Sequence, residues 1–446
     1  MSATTPRFRP LIQQNSNTLM GVVDSWMNTS VVTLIGYFSL FAIAFGSLVD
    51  VEADNDAVGF GGQALVKVMF LGLGGLYGGV GVVTDSRVRR LLLSFPVMWM
   101  SLLLFFFCLA VPTSLTTFSS MASTMSIACV LFMTVTALVQ LGVKNVLNTV
   151  FYATATYVLG SWVAYLLVPS IGVFLEATTD GEFVRRMGGL AHPNVLGQTS
   201  GVVLILALVL YLDEKKISFI RAIIVAAAMA SLVGSLSRTS LLATILAVGF
   251  TFRAHLFQRR YVMFAIACGF IGLIMLMFAS MFVDIESKIG SKIGLLSKSG
   301  DASELTSATG RTEIWAETIK LVSESPVFGY GAATSKLLLK EYSFHTHNLI
   351  LNVALSTGIF GGLCALWMYV DRMFNLFRNR HPIADPLVVF VLVNGLFENV
   401  IFSILCGFPT IVWIIALAVP VVDAMNREEE EPLPSVGVLR LSRGNQ

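Results

Sequence analysis

Charge is what this sequence has least of. Asp, Glu, Lys and Arg make up 13% of its 446 residues, against roughly 25% in an ordinary soluble protein. A soluble enzyme of several domains is excluded, because too little polar surface exists to cover it. Cysteine is also sparse: Cys108, Cys129, Cys268, Cys364 and Cys406 stand singly in apolar runs. With no Cys-x-x-Cys pair and no histidine nearby, they support neither a zinc site nor a disulfide framework, and they read as buried, inert thiols. A net charge of +2 gives no global basic field, which argues against nucleic acid as a partner. Residues 1–30 lack the short apolar core and small-residue cleavage site of a signal peptide, and read as a cytoplasmic N-terminal segment.

What is present is long apolar sequence. Hydrophobic residues reach 55% and the mean hydropathy is +0.79. Runs long enough to cross a bilayer of about 30 Å as a helix recur from end to end. About twelve are expected, near 31–49, 61–84, 91–112, 118–141, 146–169, 194–212, 217–235, 239–252, 261–283, 348–371, 383–402 and 408–424. The eighth is short, and the second is glycine-rich with a lone Lys67. The expected fold is an all-α polytopic membrane protein, its bundle spanning 31–424.

Orientation follows from the short loops. One set carries Arg87, Arg89, Arg90, Lys144, Lys215, Lys216, Arg221, Arg253, Arg259, Arg260, Arg372, Arg378 and Arg380, whereas the other carries Glu52, Asp54 and Asp56 or no charge. The positive-inside rule then places both termini in the cytoplasm. The tail, 425–446, reads as disordered. Two longer segments fall outside: the loop around 178–194 and a large loop at 284–347. Within the latter, residues 311–324 place Ile314, Trp315, Ile319 and Val322 near one face, the pattern of an amphipathic helix.

Three arginine positions stand on the outer face, where positive-inside topology disfavours them. Arg185, with Arg186 beside it, precedes Gly188-Gly189-Leu190-Ala191-His192-Pro193-Asn194. Arg238 lies in the polar hairpin 235–240 beside Ser237, and Arg311 opens the amphipathic helix. His345, His347 and Asn348 share the same depth. A solitary interfacial arginine ordinarily snorkels to headgroups. Several together, without matching carboxylates, call for an anion, and guanidinium forks pair with phosphate oxygens. A histidine beside them can act as a general base. This combination suits transfer of a group from a lipid diphosphate to a hydroxyl. Since no acidic pair appears on this face, charge neutralisation falls to arginine and no metal is expected.

Other residues admit two readings. His192, before Pro193, serves the site or simply caps the sixth span. Glu398 orients a histidine or an arginine, or is an interfacial salt bridge. Trp315 reads as a core or interfacial anchor rather than a substrate platform. Chemistry alone does not separate His345 from His347, and His255 and His381 read as plain surface residues of the basic loops.

The succession Arg-x-x-Gly-x-x-x-His-Pro-Asn (185–194), Ser-Arg-Thr-Ser (237–240), Gly-Arg-Thr-Glu-Ile-Trp (310–315), Pro-Val-Phe-Gly-Tyr-Gly (326–331) and His-Asn-Leu-Ile-Leu-Asn (347–352), then Gly358 and Gly361, resembles the O-antigen ligase and O-antigen polymerase family. The likeness covers 185–365. It implies a GT-C-like bundle with a large periplasmic loop, sited in the bacterial inner membrane. It also implies a glycosyltransferase that takes glycan from undecaprenyl diphosphate at the periplasmic face without cofactor or metal. The acceptor would be a lipid A core or another glycan. Carried over by position, Arg185 (or Arg186) and Arg311 match the diphosphate-holding arginines, Arg238 matches the arginine of the Ser-Arg hairpin, and His347 matches the proposed base. His345 falls outside the pattern.

Overall fold

The computed structural model describes residues 19–49, 62–177, 183–253, 311–341, 345–398, 401–402 and 405–430. In chain order the helices are α1 (Leu19–Gly46), α2 (Gly62–Thr84), α3 (Ser86–Leu93), α4 (Met98–Ala110), α5 (Thr117–Gln140), α6 (Val143–Leu167) and the short α7 (Pro169–Gly172). A hairpin of β1 (Val173–Ala177) and β2 (Phe183–Met187) follows, then α8 (Pro193–Glu214), α9 (Phe219–Gly234) and α10 (Arg238–Thr251). The last elements are α11 (Arg311–Glu324), the short α12 (Ser335–Leu338), α13 (Leu349–Arg378), α14 (Ala384–Phe397) and α15 (Phe408–Glu430).

The chain is a polytopic helical membrane protein, but not a bundle of twelve uniform spans. Six described helices (α2, α5, α6, α8, α13 and α15) are long and apolar enough to cross a membrane, and the bent pair α3–α4 makes a seventh. Val31–Gly46 of α1, together with α9, α10 and α14, are shorter apolar helices. The last two have 14 residues each, about 21 Å of helix, which falls short of a ~30 Å hydrocarbon core. The span expected at 261–283 lies outside the described residues, as does the first part of the large loop.

Apolar runs mark helices well but hide breaks. The run 91–112 reads as one span, yet the chain bends by 80° between α3 and α4. Ser94 leaves the helix with extended backbone, and Pro96, lacking an N–H, cannot continue it. Helix α3 therefore buries Val88, Leu91 and Leu92 beneath its arginines. The glycine-rich α2 owes its composition to α5: a Cβ at Gly78 would sit 2.4 Å from the Met133 backbone nitrogen, and one at Gly81 would sit 2.3 Å from Thr136 Cγ2. Small residues let the two backbones meet.

The basic loops gather at one end of the bundle, and much of their charge is paired. Lys144 lies 3.3 Å from both Asp213 and Glu214, and Arg90 lies 2.6 Å from Glu428. Arg253 of α10 pairs with Asp385 of α14, both side chains 7% exposed. His381 is no plain surface residue: its Nε2 meets Asp423 Oδ2 at 3.0 Å and its Nδ1 accepts from the Ala384 N–H. Residues 425–430, expected to be disordered, are helical: α15 continues to Glu430 and uses its acidic end against Arg87 and Arg90, and the rest of the expected tail lies outside the described residues. Cys364 and Cys406 are buried as expected, but Cys108 is exposed on α4.

Candidate functional site

The opposite end of the bundle collects the chemistry. Here lie the β-hairpin, the start of α8, the α9–α10 turn, and the starts of α11 and α13 beside the end of α14. The described part of the 178–194 segment is not a plain loop. Val173–Ala177 and Phe183–Met187 pair antiparallel, with Phe174 opposite Arg186 and Leu175 opposite Arg185, a small exception to an all-α chain. Successive strand residues face opposite ways. Arg185 is accordingly exposed, its guanidinium carbon 6.0 Å from the centroid of the Tyr165 ring, whereas Arg186 is only 3% exposed.

Glu398 is the hub of the site. It caps the C-terminus of α14 with extended backbone. Its Oε1 accepts from Arg311 Nη2 at 2.8 Å and from Asn194 Nδ2 at 3.1 Å, while its Oε2 lies 3.0 Å from His347 Nδ1. The carboxylate and the guanidinium are 14% and 16% exposed, and the imidazole is 25% exposed. Burial alone would push the Glu398 carboxyl up. The His347 hydrogen bond and the Arg311 charge outweigh burial and hold it below its ordinary value. The sequence offered two readings of Glu398; in the structure one carboxylate meets both the histidine and the arginine.

The tautomer of His347 follows. An ionised carboxylate only accepts, so Nδ1 carries the proton and donates. In the neutral ring Nε2 is then left with its lone pair as the basic nitrogen. His347 adopts φ 49°, uncommon for a residue with a side chain. Its flanks are tied on two sides. The Trp315 indole donates to the Thr346 carbonyl at 3.0 Å, and Asn348 Nδ2 donates to the Leu396 carbonyl at 3.1 Å. Asn348 Oδ1 also caps α13 by accepting from the Leu351 N–H. Trp315 is 3% exposed and so is the anchor that the sequence favoured. The expected apolar face of α11 holds at Ile314 and Trp315, but Thr318 takes the buried place assigned to Ile319, which is 41% exposed.

Arg186 is engaged on every side by protein. It donates through Nε to the Ser235 carbonyl (2.8 Å), through Nη1 to Glu176 (2.6 Å) and through Nη2 to Asn194 Oδ1 (2.9 Å). The reading of arginines without matching carboxylates is therefore corrected: Arg186 pairs with Glu176, and Arg311 pairs with Glu398. Sequence reasoning missed Glu176. Its only signal was an acidic residue in the apolar stretch between α6 and the glycines at 188–189.

The remaining candidates fall around this core. The His192 side chain caps α8 by accepting from the Asn194 N–H at 3.2 Å, with Pro193 in the first turn, and its ring meets Phe174 edge-on at 4.9 Å. Ser237 is buried and donates to Ser240 Oγ, and Gly197 of α8 packs closely against it. Arg238 is exposed at the first residue of α10. His345 is exposed, its ring centroid 6.4 Å from that of His347. Thus Glu398 brings Asn194, Arg311 and His347 together directly, with Arg186 one bond further out.

One segment outside this cluster fixes it in place. Helix α13 breaks at Gly358 (φ 78°, ψ −175°), and the turn at 326–331 enters the break. Tyr330 N–H donates to the Leu355 carbonyl, Gly331 N–H to the Ser356 carbonyl, and Ile359 N–H to the Pro326 carbonyl. The turn follows α11, so this docking fastens the Arg311 helix onto the helix that begins just after His347.

Fold and site define a polytopic membrane protein with an imidazole–carboxylate–guanidinium cluster at one end of its bundle. Residues 222–366, about a third of the chain, match the family model described as O-antigen ligase. Over this segment the chain is similar to the O-antigen ligase family of membrane glycan enzymes. The matched segment holds Ser237, Arg238, Arg311, Trp315, His345, His347 and Asn348, whereas Arg185, Arg186, His192, Asn194 and Glu398 lie beyond it. No curated protein matches the chain.

Proposed function

We propose that this protein is a glycosyltransferase with a GT-C-like bundle. It moves glycan from undecaprenyl diphosphate to an acceptor hydroxyl at the periplasmic face of the bacterial inner membrane. The observation that carries the reading is Glu398 holding His347 and Arg311 through its two oxygens. With Nδ1 committed to the carboxylate, His347 Nε2 takes the acceptor's proton. The acceptor oxygen attacks the anomeric carbon, a glycosidic C–O bond forms, and the bond from that carbon to the diphosphate oxygen breaks. The electron pair leaves with the diphosphate, which is a good leaving group without protonation. The exposed Arg185 and Arg238, with Arg311, stabilise the charge that builds there. The imidazolium formed on His347 is stabilised by Glu398.

The acceptor in this reading is a lipid A core or another glycan, which makes the protein a ligase. A polymerase, joining one lipid-linked repeat unit to another, uses the same chemistry. A flippase fits less well, because it needs ionisable residues along a path through the bilayer, and the charged cluster sits at one end.

Purified protein incubated with an undecaprenyl diphosphate-linked glycan and a lipid A core tests this. Transfer is expected from the wild type, unchanged by a chelator, and lost in His347→Ala and Arg311→Ala. Transfer that persists in either variant overturns the assignment of that residue. Longer chains formed from the donor alone would identify a polymerase.

A further inference from the structure

We infer that Arg186 and Asn194 are positioning residues for this transfer, which together hold the carboxylate of Glu398 so that one oxygen faces Arg311 and the other faces His347. The inference rests on the proposed role of His347. Its own support is the chain of hydrogen bonds running from the hairpin to the hub.

The side-chain chemistry at position 194 is tightly constrained. On one side stands a guanidinium, which only donates; on the other stands a carboxylate, which only accepts. An amide carries one acceptor and one donor group and can join them. Asn194 Oδ1 accepts from Arg186 Nη2 at 2.9 Å, and Nδ2 donates to Glu398 Oε1 at 3.1 Å. Arg186 is itself fixed by Glu176 and by the Ser235 carbonyl, so the orientation of the amide is set from behind. The Asn194 backbone is fixed too, since its N–H donates to His192 Nδ1 at the start of α8.

This arrangement matters because Arg311 competes with His347 for the same carboxylate. A guanidinium fork readily takes both oxygens of a carboxylate. Here Arg311 meets Oε1 at 2.8 Å and Oε2 is left to His347 at 3.0 Å. The Asn194 donor on Oε1 resists the rotation that would give Arg311 both oxygens. Without it the imidazole loses the partner that sets its tautomer, and Nε2 is no longer held as the base. Arg186 thus acts on the reaction from inside the protein, through Asn194.

The groups facing Glu398 are Asn194 and His192 from the start of α8, Arg311 from α11, and His345 and His347 from the segment before α13. Arg186 stands behind Asn194. An added carboxylate at position 194 would therefore be felt directly as a like charge.

The test uses the full-length protein in detergent with the variants Arg186→Gln, Asn194→Leu, Asn194→Asp and the double variant Arg186→Gln/Asn194→Leu. Glycan transfer is measured from undecaprenyl diphosphate-linked glycan. In parallel, the Glu398 carboxyl is titrated by NMR of protein labelled with 13C at the glutamate side-chain carboxyl, its signal assigned by its loss in Glu398→Gln. Each single variant is expected to lower kcat by about 10- to 100-fold with little change in the KM for the donor. The double variant should be no worse than the poorer single one, because the two residues act in series. Asn194→Asp, which keeps the Arg186 contact and the side-chain size, should raise the Glu398 titration by about one pH unit. Multiplying effects, or a raised KM with kcat intact, would show Arg186 touching substrate and overturn the inference. An unmoved Glu398 titration in Asn194→Asp would overturn it as well. If the wild type transfers no glycan, the proposed function fails, and the titration still decides whether Asn194 governs the carboxylate.

Discussion

Replacing Gly358 with alanine should unseat the turn that docks into α13. A Cβ there would lie 2.4 Å from the Val327 carbonyl oxygen, 2.5 Å from the Val327 carbonyl carbon and 2.7 Å from the Pro326 oxygen. All three are backbone atoms, so no flexible side chain can swing away. With φ 78° and ψ −175°, the residue also occupies a region essentially reserved for glycine, which costs an alanine about 1–3 kcal/mol. Moving the turn to relieve the clash breaks the three backbone hydrogen bonds in the break, each worth about 1 kcal/mol net. The expected loss is about 4–6 kcal/mol, a large share of the roughly 5–15 kcal/mol that typically holds a protein together. Gly79 and Gly249 are internal controls, because each lies in a helix with nothing within 4 Å of where an alanine methyl would stand. Alanine there should leave stability unchanged or raise it by up to about 1 kcal/mol. The assay is the fraction of monodisperse protein surviving a series of temperatures in detergent, measured for wild type, Gly358→Ala, Gly329→Ala, Gly79→Ala and Gly249→Ala. Gly329→Ala should behave like Gly358→Ala, since its Cβ would lie 2.6 Å from the Gly358 nitrogen at φ 64°. If Gly358→Ala melts within about 2 °C of wild type, the docking is not what secures the Arg311 helix.

Three further outcomes follow from the ion pairs and from the hydrogen bond that ties down the segment of His347. Because the folded protein holds the Glu398 carboxyl below its ordinary 4.5, its contribution to stability is present above that value and lost as pH falls through the depressed folded value. The melting temperature of wild type should therefore exceed that of Glu398→Gln near neutral pH and converge on it in acid, and a gap independent of pH would refute the charge assignment. Asp385→Asn should destabilise by about 3–5 kcal/mol, because it leaves Arg253 buried without its carboxylate. Removing both partners in Arg253→Met/Asp385→Leu should restore much of that loss in the same thermal assay, and a double variant worse than Asp385→Asn would argue against the pairing. Trp315→Phe keeps the buried ring and deletes only the indole donor to Thr346, so the expected change is about 1 kcal/mol, with a lower transfer rate if that bond holds His347 in place.

Much of the frame was legible because it depends on local pattern. Apolar length marked α2, α5, α6, α8, α13 and α15; Pro193 in the first turn marked the start of α8; periodicity marked α11. Other features depend on the fold. The break before Pro96 was hidden inside a continuous apolar run, and hydropathy does not distinguish a 14-residue helix such as α14 from the end of a longer span. The ion pairs were the hardest to read. Glu176 and Arg186 are ten residues apart on facing strands, and Arg311 and Glu398 are 87 apart, so neither pairing has a sequence period to betray it.

Those pairings change what the arginines imply. Four arginines at one end of a membrane protein would be too much charge to hold together in a poorly solvated place without counterions. Among the described residues two of them are seen paired with carboxylates: Arg186 with Glu176, and Arg311 with Glu398. Arg185 and Arg238 stand exposed at the same end. The glutamates make the cluster tolerable before substrate arrives, and Arg311 stays able to exchange part of its carboxylate contact for a phosphate oxygen. On the proposed reading, Glu398 must release some hold on Arg311 while keeping His347, and the Asn194 bond to Oε1 keeps that carboxylate from turning as it does so.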